Sequence, residues 1–301
     1  MLRSVPTLRT SNPNACVRHA LDASNQRESN ETSRRIHALL SVQSRRIKPL
    51  DAAGAFLRAI SRLLLLAAWL VLSLLQQLIG FALRTGDGRH LRRRFYRGAL
   101  RILGIRIRVY GSLSVRRPLF VVANHASYLD IFVLGSVLPS VFVSKQEVRR
   151  WPVIGSVASW QQTIFIARNP RAPADEIKPI VDALNAGQNV TVFPEGTSTD
   201  GRSVLPFKSP LFDAAKTANA FIQPIGLVYR ERHGGVISQK DRDFYTWGTD
   251  APFFTHFLRL ILRPGVLVEV WIRPHLAPDQ GRKELANIAC RRVKSPIRHR
   301  A

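Results

Sequence analysis

The sequence is poor in cysteine and in acid. Its two cysteines, Cys16 and Cys290, stand far apart in dissimilar surroundings. They offer no metal-ligand spacing and no disulfide framework, which fits a reducing compartment and predicts no bound metal. Asp and Glu number 20 against 45 Lys and Arg, a formal charge of +25. Such a surface draws nucleic acid, anionic lipid or an acidic protein, and charge alone does not choose among them. Also lacking are an internal repeat, a GxSxG nucleophile elbow and an apolar stretch of secretory type near Met1. No helix-turn-helix, zinc-finger or aromatic RNA-binding pattern stands beside the positive charge, so no nucleic acid is expected as a partner.

What is present is apolar content of 46% over 301 residues, enough for a large core. Residues 1–50 are polar, with scattered Arg, Ser and Asn, and read as a disordered basic leader. Residues 51–104 read as a membrane-anchoring helical segment with basic flanks. Within it, Leu63 to Leu83 carries no charge and is bracketed by Arg62 and Arg84. As a helix it would reach roughly 31 Å, enough to cross a bilayer core. Basic residues lie on both sides, Arg45, Arg46, Lys48 and Arg58 before it, Arg89, Arg92, Arg93, Arg94 and Arg97 after it. That symmetry gives no orientation, and a helix or helical pair sunk into one leaflet fits as well as a full span. Each such residue near an anionic leaflet contributes about 1 kcal/mol.

From 105 to 295 short apolar runs alternate with helical patterns. Strands are expected at 105–110, 119–123, 141–144, 163–166, 189–193, 221–229 and 266–272. Helices are expected at 128–137, 152–160, 173–186, 208–219, 252–262 and 281–293. Pro173, Asp175, Glu176 and Gly187 mark the start and stop of one of them. The alternation predicts an α/β domain with a mixed, largely parallel sheet flanked by helices, and sites at strand ends. A basic tail, 296–301, closes the chain, and the residues from Arg291 on are expected to be frayed or lipid-facing.

Four short constellations sit at the predicted strand ends. Val121-Val122-Ala123-Asn124-His125 ends a buried strand and leads through Ser127 to Asp130. An imidazole at a strand-to-helix junction is held firmly and still faces a cleft, and its pKa suits the removal of a proton from a hydroxyl. The first helical turn can fold Asp130 back to fix its tautomer. Asn124 and Ser127 are candidate helix caps. Alone, a His-x4-Asp spacing is equally a capping or packing pattern. Arg168, closing the run Thr163-Ile164-Phe165-Ile166-Ala167, can clamp a phosphate or carboxylate, or be an ordinary surface arginine. Phe193-Pro194-Glu195-Gly196-Thr197 is a strand end turning through Pro and Gly, with amides near Gly196 available to an oxyanion, or simply a turn. Gln223-Pro224-Ile225 reads as an edge strand or bulge.

In order and spacing the four resemble the glycerolipid acyltransferase family, which contains the 1-acylglycerol-3-phosphate acyltransferases. Asn124-His125 to Asp130 matches its NHxxxxD motif, Phe165 to Arg168 its FIxR motif, Phe193 to Thr197 its FPEGT motif, and Gln223-Pro224-Ile225 its short proline motif. The resemblance covers about residues 100–295. It implies a catalytic pair, His125 and Asp130, with Asn124, Arg168, Glu195, Gly196 and Thr197 binding substrate and no cofactor. The family's second motif usually opens with glycine, where Gln162 stands. The third usually continues to a phosphate-holding arginine, where Ser198 stands, and Pro210 replaces a usual glycine. The stretch Thr197-Ser198-Thr199-Asp200-Gly201, then Val204 to Ser209, Trp247-Gly248 and Arg282 to Ala286 resemble the branch that acylates lyso-ornithine lipid. The resemblance therefore implies transfer of a fatty acyl group from acyl carrier protein or acyl-CoA to a lysolipid hydroxyl, at a bacterial inner membrane and from its cytoplasmic side. Lyso-ornithine lipid is the first expectation for the acceptor and lysophosphatidate the second. A membrane-tethered nucleic-acid-binding protein would account for the charge but not for the motifs.

Overall fold

A computed structural model describes residues 49–83, 88–167, 173–248 and 252–298 of the chain. The leader expected over 1–50 thus falls almost wholly outside the described residues, as do Arg168 and the last three positions. The chain divides into two units, Met1–Gly54 and Ala55–Ala301. Of the first, only the opening of helix α1 is described. The sheet and the helices packed on it belong to the second.

Helix α1 (Pro49–Ala82) and helix α2 (Arg89–Leu103) precede the sheet. The strands are β1 (Arg106–Tyr110), β2 (Leu119–Ala123), β3 (Val141–Lys145), β4 (Ile164–Ile166), β5 (Val190–Val192), β6 (Phe221–Arg230) and β7 (Leu267–Ile272). Between them run α3 (Leu129–Val137), α4 (Ile154–Trp160), α5 (Pro173–Asn185), α6 (Phe212–Thr217), α7 (Gln239–Arg242) and α8 (Phe253–Ile261), and α9 (Arg282–Arg298) closes the fold. The seven strands lie in the order β1-β7-β6-β2-β5-β3-β4. All neighbours are parallel except β6 and β7, so the sheet is mixed and largely parallel, as the alternation implied.

The all-apolar run Leu119-Phe120-Val121-Val122-Ala123 explains why β2 is central. A strand covered on both faces has no polar side to show, and each of its five residues is buried. Its pleat divides them. Leu119, Val121 and Ala123 join a core with α2, α3 and α8, while Phe120 and Val122 join a second core under α5, α6 and α9. The result is three layers with two cores.

Three expectations are corrected. First, β6 is not an edge strand: β2 and β7 flank it. A strand residue's N–H and C=O point the same way, and Pro224 O accepts Arg273 N–H at 3.0 Å, so the proline nitrogen also faces β7. The reciprocal bond to Arg273 O, which proline cannot make, is supplied by the Gln223 side-chain amide. The Gln-Pro pair thus repairs its own ladder. Second, the helix expected to end near 293 runs on to Arg298, and Val293 and Ile297 are buried rather than frayed. Ala286, Ala289, Cys290, Val293 and Ile297 form one apolar stripe, and Gly226 on β6 has no Cβ where Pro296 closes in: one built there would lie 2.8 Å from its ring. The expected tail at 296–301 therefore begins inside a packed helix. Third, the region expected as one helix at 208–219 is a short 3-10 turn, Ser209–Leu211, joined to α6.

The arginine-rich stretch after α1 also does more than flank a membrane. In α2, Phe95, Tyr96, Ala99, Leu100 and Leu103 recur at helical spacing and are buried. Gly98 offers a bare backbone where Trp69 of α1 lies, and Trp69 Nε1 donates to Phe95 O at 3.0 Å. Arg62, which reads in the sequence as the border of an apolar run, is buried. It donates to Ile102 O at 3.0 Å, to Ile261 O at 2.9 Å and to Arg263 O, carbonyls left open where α2 and α8 end.

Candidate active site

The site lies at the carboxyl ends of β2, β5 and β6, where open α/β sheets place their ligands. Register does much of the assembly. Val122 pairs with Val192, so the residues leaving β2 and β5 rise side by side, and Ala123 pairs with Ile225. His125 therefore stands beside Phe193. Their rings stack at 4.1 Å with an interplanar angle of 18°. A flat apolar wall on one side of the imidazole restricts its tilt.

Asp130 sits in the first turn of α3 and folds back as expected. Its Oδ2 lies 2.9 Å from His125 Nδ1. The same oxygen accepts Ala126 N–H at 2.7 Å and Ser127 N–H at 2.9 Å, and Oδ1 accepts the Tyr229 hydroxyl at 2.6 Å. The carboxylate is fully buried. A buried charge is tolerated when hydrogen-bonded on all sides, and here four groups meet it. An acceptor at Nδ1 assigns the ring proton to that nitrogen and leaves the Nε2 lone pair as the basic atom. The imidazole is partly exposed, its side chain at 22% against none for its partner.

Tyr229 escaped sequence reasoning. It lies on β6 two and four residues past Leu227 and Ile225, on the α3 side of the sheet. The signal available was that alternation, but alternation marks a face and not a partner across the sheet. Burial drives the Tyr229 phenol well above its usual pKa, and the neighbouring Asp130 charge adds to this. It remains a donor throughout the working range.

The other expected site residues divide. Asn124 is no helix cap: its side chain reaches across to β6 and not to the first turn of α3. It is buried, its Nδ2 donating to Leu227 O at 3.0 Å and its Oδ1 accepting Leu227 N–H at 2.7 Å. The physical reason is continuity. The strand ends before Asn124, and a side-chain amide carries the donor-acceptor ladder one step further. Ser127 Oγ does accept Leu129 N–H, at 3.3 Å. Glu195 is buried too, with Oε1 accepting His125 N–H and Oε2 accepting Leu205 N–H, each at 2.7 Å. Burial raises its pKa, opposed by those two amides. So two residues expected to touch substrate have their polar atoms engaged by the backbone around His125.

Gly196 takes a left-handed φ of 78° that favours glycine. Its N–H closes the turn by donating to Phe193 O at 3.1 Å, so the amide expected to face an oxyanion is already engaged. Thr197, the next residue, is exposed, and among the described residues its N–H has no acceptor. Lys208 lies over the turn: a Cβ on Gly196 would stand 2.7 Å from its Nζ. Ser198, where the family pattern has arginine, donates its hydroxyl to Trp247 O. Thr199 N–H donates to His125 O at 2.9 Å and Trp247 N–H to Ala126 O at 2.6 Å, so the loops after β5 and α7 are laced to the histidine corner.

An aromatic floor extends from there. Tyr128 meets Trp247 and Phe253 edge to face at 5.9 and 4.8 Å, and Trp151 adjoins both. His256 of α8 donates from Nε2 to Thr246 O at 2.9 Å and accepts the Tyr128 hydroxyl at Nδ1, 3.0 Å away. Burial lowers its pKa. The described residues hold no group of three or more His, Cys, Asp or Glu placed to bind a metal.

The chain is similar to known proteins in sequence and in fold. Residues 106–228 match a family model described as Acyltransferase. The chain is 36% identical over 247 residues to the lyso-ornithine lipid O-acyltransferase of Brucella abortus, covering 77% of this chain and 92% of that protein. It is 35% identical over 223 residues to the enzyme of the same name from Rhizobium meliloti, 70% and 76% of the two lengths. A 1-acyl-sn-glycerol-3-phosphate acyltransferase of Neisseria gonorrhoeae is 40% identical over 141 residues, 46% of this chain and 55% of that one. Among solved structures, the 1-acyl-sn-glycerophosphate acyltransferase of Thermotoga maritima shares the fold, with a TM-score of 0.56 at 21% identity over 80% of this chain and 97% of that one.

Proposed function

The chain belongs to the acyltransferase family, and on that premise we propose that it acylates the hydroxyl of lyso-ornithine lipid, using an acyl thioester as donor. It is an acyltransferase acting on lysolipids. The observation that carries the mechanism is the 2.9 Å contact of His125 Nδ1 with a carboxylate gripped by three further donors.

His125 Nε2 takes the proton of the acceptor hydroxyl. The oxygen attacks the thioester carbonyl, a tetrahedral oxyanion forms, the C–S bond breaks, and the imidazolium returns the proton to the leaving thiolate. No covalent acyl-enzyme is required. Asp130 stabilises the imidazolium, and general-base help of this kind is worth about 10²–10⁴-fold. With the Gly196 amide engaged, the Thr197 amide is the donor we assign to the oxyanion, an interaction worth roughly 3–4 kcal/mol in such sites. Asn124 and Glu195 act as positioning residues. Arg168 and Lys208 hold the acceptor head group.

Two features support the acceptor. Where relatives of the phosphate-using kind carry arginine, Ser198 is neutral and its hydroxyl is occupied by Trp247. A phosphomonoester dianion is met best by paired guanidiniums. The ammonium of Lys208 over Gly196 can meet the carboxylate of an ornithine head group. The donor is acyl carrier protein or acyl-CoA, and the +25 charge would steer an acidic carrier. Residues Ala53–Gly80 form one helix long and apolar enough to cross a membrane, and we place the enzyme on an anionic bilayer, at the cytoplasmic face of a bacterial inner membrane.

Wild type and His125→Ala, each offered lyso-ornithine lipid and lysophosphatidate in parallel, test the reading. Wild type should turn over the first acceptor, and the variant should lose about 10²–10⁴-fold in kcat at unchanged folding. Product from lysophosphatidate alone refutes the acceptor; near-normal turnover by the variant refutes the mechanism.

A further inference from the structure

We infer that helix α8, with the Trp151-Pro152-Val153 turn beside it, is a second lipid-contacting surface that seats the mouth of the active site on an anionic bilayer.

α8 buries His256, Leu260 and Ile261 and turns Phe254 and Leu258 outward, with Leu262 outward at its C-cap, at 61, 52 and 38% exposure. Those three are spaced by four residues and fall on one helix face. At the amino end of α8 the stripe adjoins Phe253, 6.0 Å from Trp151. Two residues on, Val153 stands 63% exposed with φ at 62°. A β-branched side chain in that region is strained, and water gives no return for holding an apolar group out there. Basic residues rim the stripe: Arg149 and Arg150 beside the turn, and Arg259 on α8, are exposed, with Arg263 just past its end. An apolar stripe edged with arginine matches the headgroup region of an anionic leaflet, where acyl boundary and phosphate lie in adjacent layers.

The stripe is also continuous with α1. Arg58 Nη1 donates to Leu262 O at 2.9 Å, and Arg62 of the same helix binds Ile261 O and Arg263 O. On α1 itself, Phe56, Leu57, Leu64 and Leu75 are at least half exposed. At its other end α8 reaches the site, through His256 to Tyr128, three residues from His125. A lysolipid moving laterally in the leaflet would thus meet the aromatic floor before it met His125. This inference rests on the membrane reading of α1, and its test separates the two.

An environment-sensitive fluorophore is attached through Leu258→Cys in a Cys16→Ser background, with Cys290 left buried. A control carries it through Val115→Cys, 94% exposed just before β2 at the opposite end of the sheet. Both proteins are floated with vesicles of phosphatidylcholine and phosphatidylglycerol, with and without brominated acyl chains. At Leu258 the emission should shift to the blue and lose about half its intensity or more to bromine, since apolar faces of this kind sit roughly 5–10 Å into the leaflet. At Val115 neither should happen. Flotation with a water-like spectrum at Leu258 overturns the α8 surface and leaves the α1 anchor standing. Failure to float overturns both. A blue shift at Leu258 that grows with protein concentration in the absence of vesicles overturns it in favour of a second copy of the chain. A shift at both positions reports unfolding onto lipid and also overturns it.

Discussion

The corner holding His125 and the outer face of α1 both invert the usual rule for burial, in opposite senses. At the corner, polar groups are inside: Asp130, Asn124 and Glu195 are buried and every one of their oxygens has a donor. On α1, apolar groups are outside: Phe56, Leu57, Leu64 and Leu78 are 65% exposed or more. The first inversion is stable because hydrogen bonds replace the lost water. The second marks a surface that meets something other than water, which we propose to be lipid. The lesson is that a buried polar network fixes an atom, here His125 Nε2, whereas an exposed apolar face declares an environment.

That contrast can be broken most severely at Asp130. Asp130→Asn keeps the size of the side chain but turns an amide donor toward Ala126 and Ser127, or loses the correct histidine tautomer. Steady-state assays should show kcat down by about 10³–10⁴-fold, and a loss under tenfold would mean that the corner does not fix the base. Next in size is Arg62, where a polar bolt holds the apolar helix. Arg62→Met leaves the carbonyls of Ile102, Ile261 and Arg263 without their donor. Denaturation in detergent should show a loss of roughly 3 kcal/mol, with the chemistry on dispersed substrate retained. An unchanged midpoint would show that the apolar contacts alone secure α1.

Tyr229→Phe sharpens the corner itself. It removes one of four donors to Asp130 and leaves Oδ1 bare, which should cost about 1–3 kcal/mol of stability with a fall in kcat at unchanged KM. A change in KM alone would instead make Tyr229 a substrate contact. The smallest effect is a slope. Burial raises the Glu195 pKa, so the folded chain holds that proton more tightly than the unfolded one. Its contribution to stability is fully present below the unfolded glutamate value and is lost as pH rises through the raised folded one. Glu195→Gln cannot titrate, so the stability difference between wild type and variant should move against wild type over that window. Parallel slopes across it would mean that Glu195 titrates at its ordinary value.

Much of this was legible in the order of residues. The strand β2 announces itself by five apolar residues in a row, because only a strand covered on both faces can lack a polar position. His125 and Asp130 are readable as a pair because a single turn of helix can close five residues of separation, which is local geometry. Tyr229, Arg62 and Lys208 were not readable. Tyr229 is 99 residues from Asp130, and Arg62 reaches carbonyls 40 to 201 residues away. Those partners are chosen by strand order and helix docking, and no spacing in the chain encodes them.

By itself the sequence determined the alternation of strand and helix, the apolar α1, the charge, and four motifs with the family they resemble, since each depends on neighbours along the chain. Tertiary structure decided which of the motif residues have their polar atoms engaged by backbone. It buried Asn124 and Glu195 against backbone and engaged the Gly196 amide within its own turn. The reason is that a side chain's role depends on what already occupies its hydrogen-bonding atoms, and at a junction of three strands those occupants come from distant parts of the chain.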